Sequence, residues 1–337
     1  MQRFKRILVV CQPDGQPERA LERARQLAHA NGAEVTLIDV VDFDQKDMAH
    51  ALTSLPDRSG DEMQQVIFDY HRGQLEHYAR ALSSEGIPVR AEVLAGVPFV
   101  EIIRKVTQDG HDIVLKGASQ DPARRRSTFL GLDMHLMRKC PCPVFILSDP
   151  PCNQPLQVLA AVDPAADEIG GGYLNRLIMD LATSVAAASG AHLHVIHAWR
   201  IEEELALLNS SLIRASAEEL KQIKRQKRAR RARELNQLLS YYPNHKNERD
   251  VHVVQGHAGE VVPKLARRLQ VDLVVMGTVS HTDVGGLFIG STAETIIGRL
   301  ECSVLAVKPL GFRTPVDEED PVRRDGSLQQ TSHEKAA

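Results

Sequence analysis

The sequence predicts an α/β protein of two tandem domains, each a doubly wound sheet of five parallel strands. Three observations predict it. The chain repeats itself at an offset of 160 residues. Asp112-Ile113-Val114-Leu115-Lys116-Gly117 returns as Asp272-Leu273-Val274-Val275-Met276-Gly277, and Cys142-Pro143-Val144-Phe145-Ile146 returns as Cys302-Ser303-Val304-Leu305-Ala306. Unbroken apolar runs alternate with helix-length stretches, the pattern of a parallel sheet covered on both faces. Aromatic residues are only 4% of a chain that is 43% hydrophobic, so the cores must be built from Leu, Val, Ile and Ala. A repeat this long is a whole domain, and 337 residues suffice for two cores.

Taken in order, Ile7 to Val10 is an apolar strand, and Pro17 to Asn31 is a helix with Gly32 as its stop. Val35 to Val40 is the second strand. Ser59 can cap a long helix whose apolar positions Met63, Val66, Ile67, Tyr70, Leu75, Tyr78 and Leu82 keep helical spacing. Val89 to Leu94, Ile113 to Leu115 and Val144 to Leu147 complete five strands. Gly96, sixteen residues before Asp112, opens the helix that leads to the fourth. The second copy gives Val158 to Val162, Leu193 to His197, Val251 to Val254, Leu273 to Met276 and Val304 to Val307, with Gly256 in the place of Gly96. The expected domains are residues 1–148 and 156–310, joined by a stiff proline-rich link from Ser148 to Pro155. Residues 311–337, rich in charge and poor in apolar side chains, are expected to be a disordered tail.

A net charge of −3 gives no ground for a specific nucleic-acid or membrane-surface partner. Five scattered cysteines form neither a disulfide framework nor a tetrahedral metal spacing, so reduced thiols are expected. Met1 to Arg6 runs straight into a strand, so no signal peptide is expected. No apolar run approaches the roughly 20 residues of a membrane span. These readings place the chain in the cytoplasm.

The stretch that carries chemistry runs from Gly277 to Thr292. A buried strand stops at Gly277, a loop follows, and Gly290-Ser291-Thr292 starts a helix reaching about Arg299. Glycine lets backbone approach a ligand closely, and the first helical amides point outward unpaired, which suits an anion. The Ser291 and Thr292 hydroxyls can add bonds to phosphate oxygens. Asp163 ends the first strand of the same copy, where a carboxylate suits a ribose or an adenine edge. In open α/β sheets, ligands sit at the carboxyl ends of strands where the strand order reverses.

Gly277-x2-Ser280-x9-Gly290-Ser291 resembles the Gly-x2-Gly-x9-Gly-Ser/Thr ATP-binding signature of the universal stress protein family, and Asp163 belongs to the same pattern. Apart from the tail, the whole chain is similar to the family's tandem two-domain UspE type. Met276 to Ser280 and Arg138 to Val144 both look like that subgroup. The resemblance implies a strand order of 3-2-1-4-5 in each domain and two separate sheets packed as an internal pseudo-dimer about an approximate two-fold axis. It implies ATP, with Mg as an accompanying ion, held by Asp163, Met276, Gly277, Ser280, Gly290, Ser291 and Thr292. It implies no hydrolytic centre, and a role in surviving DNA-damaging agents. Unidentified protein partners and a homodimer of tandem chains stay open. Ser280 replaces the family's second glycine and would cost about 1–2 kcal/mol if the loop requires a left-handed residue there.

The first copy departs further. Gln12 stands where Asp163 stands, Lys116 replaces Met276, and Leu130-Gly131 falls where Gly290-Ser291 falls. Arg124-Arg125-Arg126 in its loop could face another anion, but a degenerate copy kept for packing is the plainer reading. Lys221 to Arg233 carries eight basic residues in thirteen without interleaved aromatics, as a solvated helix face does. His192, His194 and His197 could in principle meet a metal, but no carboxylate or cysteine lies near them in sequence, so none is expected. There is no Gly-x4-Gly-Lys-Ser/Thr loop, Gly-x-Ser-x-Gly elbow or His-Glu-x-x-His, and no catalytic residue is assigned. Three readings follow: a stress-response protein whose second domain binds ATP, a nucleotide-free adaptor for protein partners or a lipid-like ligand, and a slow ATPase.

Overall fold

The computed structural model describes residues 4–12, 17–43, 60–119, 131–148, 155–164, 172–200, 217–242, 249–278 and 290–316. The first half runs β1 (Arg6–Val10), α1 (Pro17–Asn31), β2 (Glu34–Val41), α2 (Gly60–Ser83), β3 (Val89–Ala95), α3 (Pro98–Asp109), β4 (Ile113–Gly117), α4 (Leu132–Lys139) and β5 (Val144–Leu147). The second repeats the order as β6 (Gln157–Ala161), α5 (Gly172–Ser189), β7 (His192–Trp199), α6 (Ala217–Leu239), β8 (Arg249–Gln255), α7 (Ala258–Arg268), β9 (Leu273–Gly277), α8 (Ser291–Ile297) and β10 (Ser303–Val307). Ser59, the expected cap of α2, lies outside the described residues.

Within each half the strands are parallel and follow the order 3-2-1-4-5, as β3-β2-β1-β4-β5 and β8-β7-β6-β9-β10. The halves do not form separate sheets. β5 and β10 pair antiparallel, so all ten strands make one continuous sheet. This corrects the expectation of two sheets packed on each other. The physical reason is at the edge: β5 and β10 are short, apolar and buried, and an unpaired edge would leave a row of buried N–H and C=O groups unsatisfied. Edge-to-edge pairing satisfies both rows at once.

Two core layers lie on the two faces. One combines Ala20, Ala24 and Ala28 of α1 and Leu75 of α2 with Leu177 and Ile178 of α5 and Leu235 of α6. The other combines Ile102 and Ile103 of α3 and Met137 of α4 with Val262 of α7 and Ile296 of α8. Equivalent helices of the two copies thus share a face, which requires the relating two-fold to stand perpendicular to the sheet.

The repeated residues flagged by the sequence are structural. Gly256 has φ +146, and a Cβ there would lie 2.6 Å from Val261 Cγ1; Gly96, with φ +134, is its counterpart. Asp112 Oδ2 accepts the Lys5 amide at 2.6 Å and Asp272 Oδ2 accepts the Gln157 amide at 2.6 Å, so each repeated aspartate ties down the start of its half's first strand. Of residues 311–316, which composition assigns to the tail, Thr314 and Val316 are buried, and Val316 joins the core layer shared by both halves. Residues 317–337 lie outside the described residues.

Candidate functional site

In the second half the strand order reverses between β6 and β9, which are parallel neighbours registered Ala161↔Met276. Their exits therefore stand side by side. Asp163 leaves β6 with its side chain 66% exposed. Its backbone is clamped from α5: the Asp163 amide donates to Asn175 Oδ1 at 2.9 Å, and Asn175 Nδ2 donates to the Asp163 carbonyl at 2.9 Å. A buried amide thus fixes the backbone while leaving the carboxylate to solvent. His197 Nδ1 lies 3.2 Å from the Val162 carbonyl and 3.7 Å from Asp163 Oδ1, and burial lowers its pKa against the pull of Asp163.

Gly277 ends β9 beneath α5. A Cβ there would lie 2.9 Å from Leu174 Cδ2, so glycine is what lets the helix close over the strand exit. Met276 is buried in the core layer facing α7 and α8, so its side chain packs below the site. Thr278, which sequence reasoning missed, is fully buried, and its carbonyl accepts the Gly290 amide at 3.0 Å. That bond pins the two ends of the 279–289 segment, which includes Ser280 and lies outside the described residues. It also corrects one expectation: the Gly290 amide is already engaged and is not open to a phosphate. The helical ladder of α8 begins with the Glu294 amide donating to the Gly290 carbonyl at 3.1 Å. The amides of residues 291–293 accordingly have no intrahelical acceptor. Ser291 is exposed and Thr292 half-buried beside them.

Lys308, just after β10, is buried beside Thr278. Its ammonium donates to the Thr278 hydroxyl and to the Met137 carbonyl of the first half. Burial pushes its pKa down to about 7, opposed by the Cys140 thiol. Gly277 was singled out in sequence, but Thr278 and its link to Lys308 were not.

In the first half the equivalent exits belong to β1 and β4. Gly131 is the N-cap of α4 (φ −77, ψ 148), just as Gly290 is of α8 (φ −62, ψ 137). The copies therefore align here one residue away from the expected 160-residue offset, and the glycine is retained. What differs is its surroundings. Lys116, only 2% exposed, places Nζ 2.9 Å from Asp133 Oδ1 in the first turn of α4 and donates to the Gly117 carbonyl at 2.9 Å. The helix start thus faces a carboxylate of the chain itself, neutralised by a lysine. A cavity of about 1110 Å³ opens beside this pair, between the two halves, lined by Gln12, Phe99 and Leu132 of the first and by Pro263, Arg267 and Leu300 of the second. His71 Nδ1 is 2.5 Å from Asp39 Oδ2 in its wall. Arg124-Arg125-Arg126 lies outside the described residues.

The histidines of β7 separate. His192 and His194 share the face of α7, whereas His197 points to the opposite one, toward Val162. The carboxylate missing from their sequence neighbourhood comes from β8, where Asp250 is registered with His194. Burial pushes the His194 pKa down to about 4, with His192 and His252 adding to it. The basic face of α6 is largely exposed, and Arg230 and Arg231 each stand 2.9 Å from Glu234.

Fold and site together define a tandem switch-point α/β protein in which the exits of the first and fourth strands of the second half stand side by side near the start of a helix. The profile of the universal stress protein family matches residues 3–148 and 158–308, and the chain belongs to that family, as a tandem two-domain member. It is similar to universal stress protein E of Escherichia coli (strain K12), at 30% identity over 332 residues, 95% of this chain and 100% of that one. It is similar to the universal stress protein E homolog of Haemophilus influenzae, at 26% identity over 317 residues, 91% of this chain and 98% of that one. Among solved structures, a putative universal stress protein from Pseudomonas aeruginosa shares the fold with a TM-score of 0.66 at 24% identity, covering 91% of this chain and 94% of that one. One from Archaeoglobus fulgidus does so with 0.59 at 18% identity, covering 91% and 98%. A stress-response role comes with the family. No helix among the described residues is long and apolar enough to cross a membrane.

Proposed function

We propose that the second half binds an adenine nucleotide, ATP with Mg as its accompanying cation, as a cytoplasmic stress-response protein without a dedicated hydrolytic centre. The observation that supports it is the meeting of the β6 and β9 exits at the switch point, with exposed Asp163 beside Gly277 and the start of α8. Asp163 serves the nucleoside side, the amides and hydroxyls of Ser291 and Thr292 serve phosphate, and Gly277 keeps the strand exit low. Met276 contributes through its backbone. Resistance to DNA-damaging agents is the biology this reading favours. The direct test is mass spectrometry of what co-purifies with the native chain. Adenine nucleotide at one per chain supports the reading; no nucleotide, together with no uptake from added ATP, removes it.

A second reading, a nucleotide-free adaptor for protein partners or a lipid-like ligand, is favoured by the cavity between the halves, whose walls combine apolar Val41, Phe99 and Leu132 with the Lys116–Asp133 pair. Organic extraction of the same preparation separates the two, because an acyl chain would partition out and a nucleotide would not.

A further inference from the structure

We propose that His192, His194 and Asp250 form a binding site for a divalent transition-metal cation of the zinc type, on the face of β7 and β8 that packs toward α7. His192 and His194 are two apart on β7 and so share a face. The parallel register puts Asp250 directly beside His194 and His252 beside Ile196, on that same face. His192 Nε2 lies 3.2 Å from Asp250 Oδ2, and His194 Nδ1 lies 3.6 Å from the same oxygen. One donor atom from each of the three residues lies within 4.8 Å of the others. Bonds of about 2.0–2.1 Å to a tetrahedral zinc require donor atoms about 3.3 Å apart, so the two histidine–carboxylate separations are already near those of a coordination shell.

The outer groups fit as well. Gln157 Nε2 donates to the Pro155 carbonyl at 2.8 Å, which turns Oε1 toward His194 Nε2 at 2.9 Å. His194 then carries its proton on Nε2, and its Nδ1 lone pair faces Asp250. A ligating histidine whose other ring nitrogen is held by a hydrogen bond is the usual outer-shell arrangement of metal sites. His252 Nε2 stands 3.3 Å from His194 Nδ1, at the border of the same cluster. Asp250 is exposed and His192 partly so, which leaves an entry path from solvent. Two imidazoles and one carboxylate with an open position suit a borderline cation over calcium or magnesium.

The first half shows what an ordinary solution looks like at the same place. Its register equates Glu34 with His192, Thr36 with His194 and Arg90 with Asp250. There Glu34 meets Arg6 at 3.4 Å and Arg90 at 4.0 Å, a plain surface ion network. Among the described residues, the second half alone brings such a ligand set together.

The experiment is calorimetric titration of the chelator-treated full chain with zinc chloride, repeated on His192→Gln/Asp250→Asn. Both substituted side chains are at least partly exposed, so the fold should hold, and circular dichroism checks it. The parent should take up one equivalent that the double variant loses or binds at least tenfold more weakly. Gln157→Leu should weaken the same equivalent by about tenfold, the usual size of an outer-shell effect. Cobalt(II) should give the visible bands of a tetrahedral centre in the parent and not in the variant. Absence of uptake by the parent, or uptake that the double variant retains in full, overturns the proposal.

Discussion

Phe145 and Leu305 stand opposite each other in the antiparallel ladder where the halves join, and each is the other's counterpart in the repeat. Their neighbours cross over, Val304 with Ile146 and Ala306 with Val144, as a two-fold through the Phe145–Leu305 pair demands. Both side chains are buried in a core layer that contains residues of both halves. Phe145→Ala should therefore destabilise the whole chain, by about 3–5 kcal/mol, and not one half alone. Urea unfolding followed by circular dichroism checks this. A single transition shifted as a unit is expected, whereas a split transition with one half unmoved would contradict it.

Asn175 acts on the site through backbone alone. Asn175→Ala leaves the Asp163 amide and carbonyl without their 2.9 Å partners, at a cost of about 1–3 kcal/mol. It should also weaken nucleotide binding without removing any group proposed to touch the ligand. Stability and affinity measured on the same preparation test the two effects together.

The Lys116–Asp133 pair holds the place that phosphate is proposed to take in the other half. Asp133→Asn leaves a buried ammonium without its counter-charge and should cost about 3–5 kcal/mol. Lys116→Met supplies the residue that Met276 already is in the second half, so Lys116→Met/Asp133→Asn should be close to neutral. A double-mutant cycle in urea measures the difference, and equal costs for all three variants would contradict the pairing.

Lys308 gives the chain a pH signature. Its folded pKa of about 7 lies below the unfolded value of 10.5, so between those limits the unfolded chain binds the extra proton. Stability should therefore rise with pH through that window, with a slope of up to about 1.4 kcal/mol per pH unit from this group. Lys308→Met should flatten the rise, as seen by comparing unfolding at neutral and alkaline pH. An unchanged slope would mean that the ammonium stays charged.

Local pattern made the strands legible. Each run named from sequence is a strand within about two residues; the central ones carry the unbroken apolar signature of a parallel strand buried on both faces, whereas the outer β3 and β8 mix polar residues and are largely exposed. Asp163, Gly277 and Gly290 were legible for a similar reason, as glycines and an acid at strand and helix ends. Long-range pairing was not. Nothing in β5 or β10 alone says that their edges meet. The Asp250 carboxylate reaches His192 and His194 only through the β7–β8 register, across 58 residues. The one-residue slip at Gly131 hid the retained glycine. Lys308 reads as the charged end of a strand until Thr278 and Met137 are seen to enclose it.

The central claim is one adenine-nucleotide site per chain, in the second half. Calorimetric titration of ATP with Mg into the parent, Asp163→Ala and Gly290→Val tests it most directly. The account predicts a single equivalent for the parent, weaker binding for Asp163→Ala, and loss of most binding for Gly290→Val, where a β-branched side chain at the N-cap would obstruct the close approach of phosphate to the first amides of α8. Two equivalent sites per chain, or a Gly290→Val variant that binds as tightly as the parent, would contradict it.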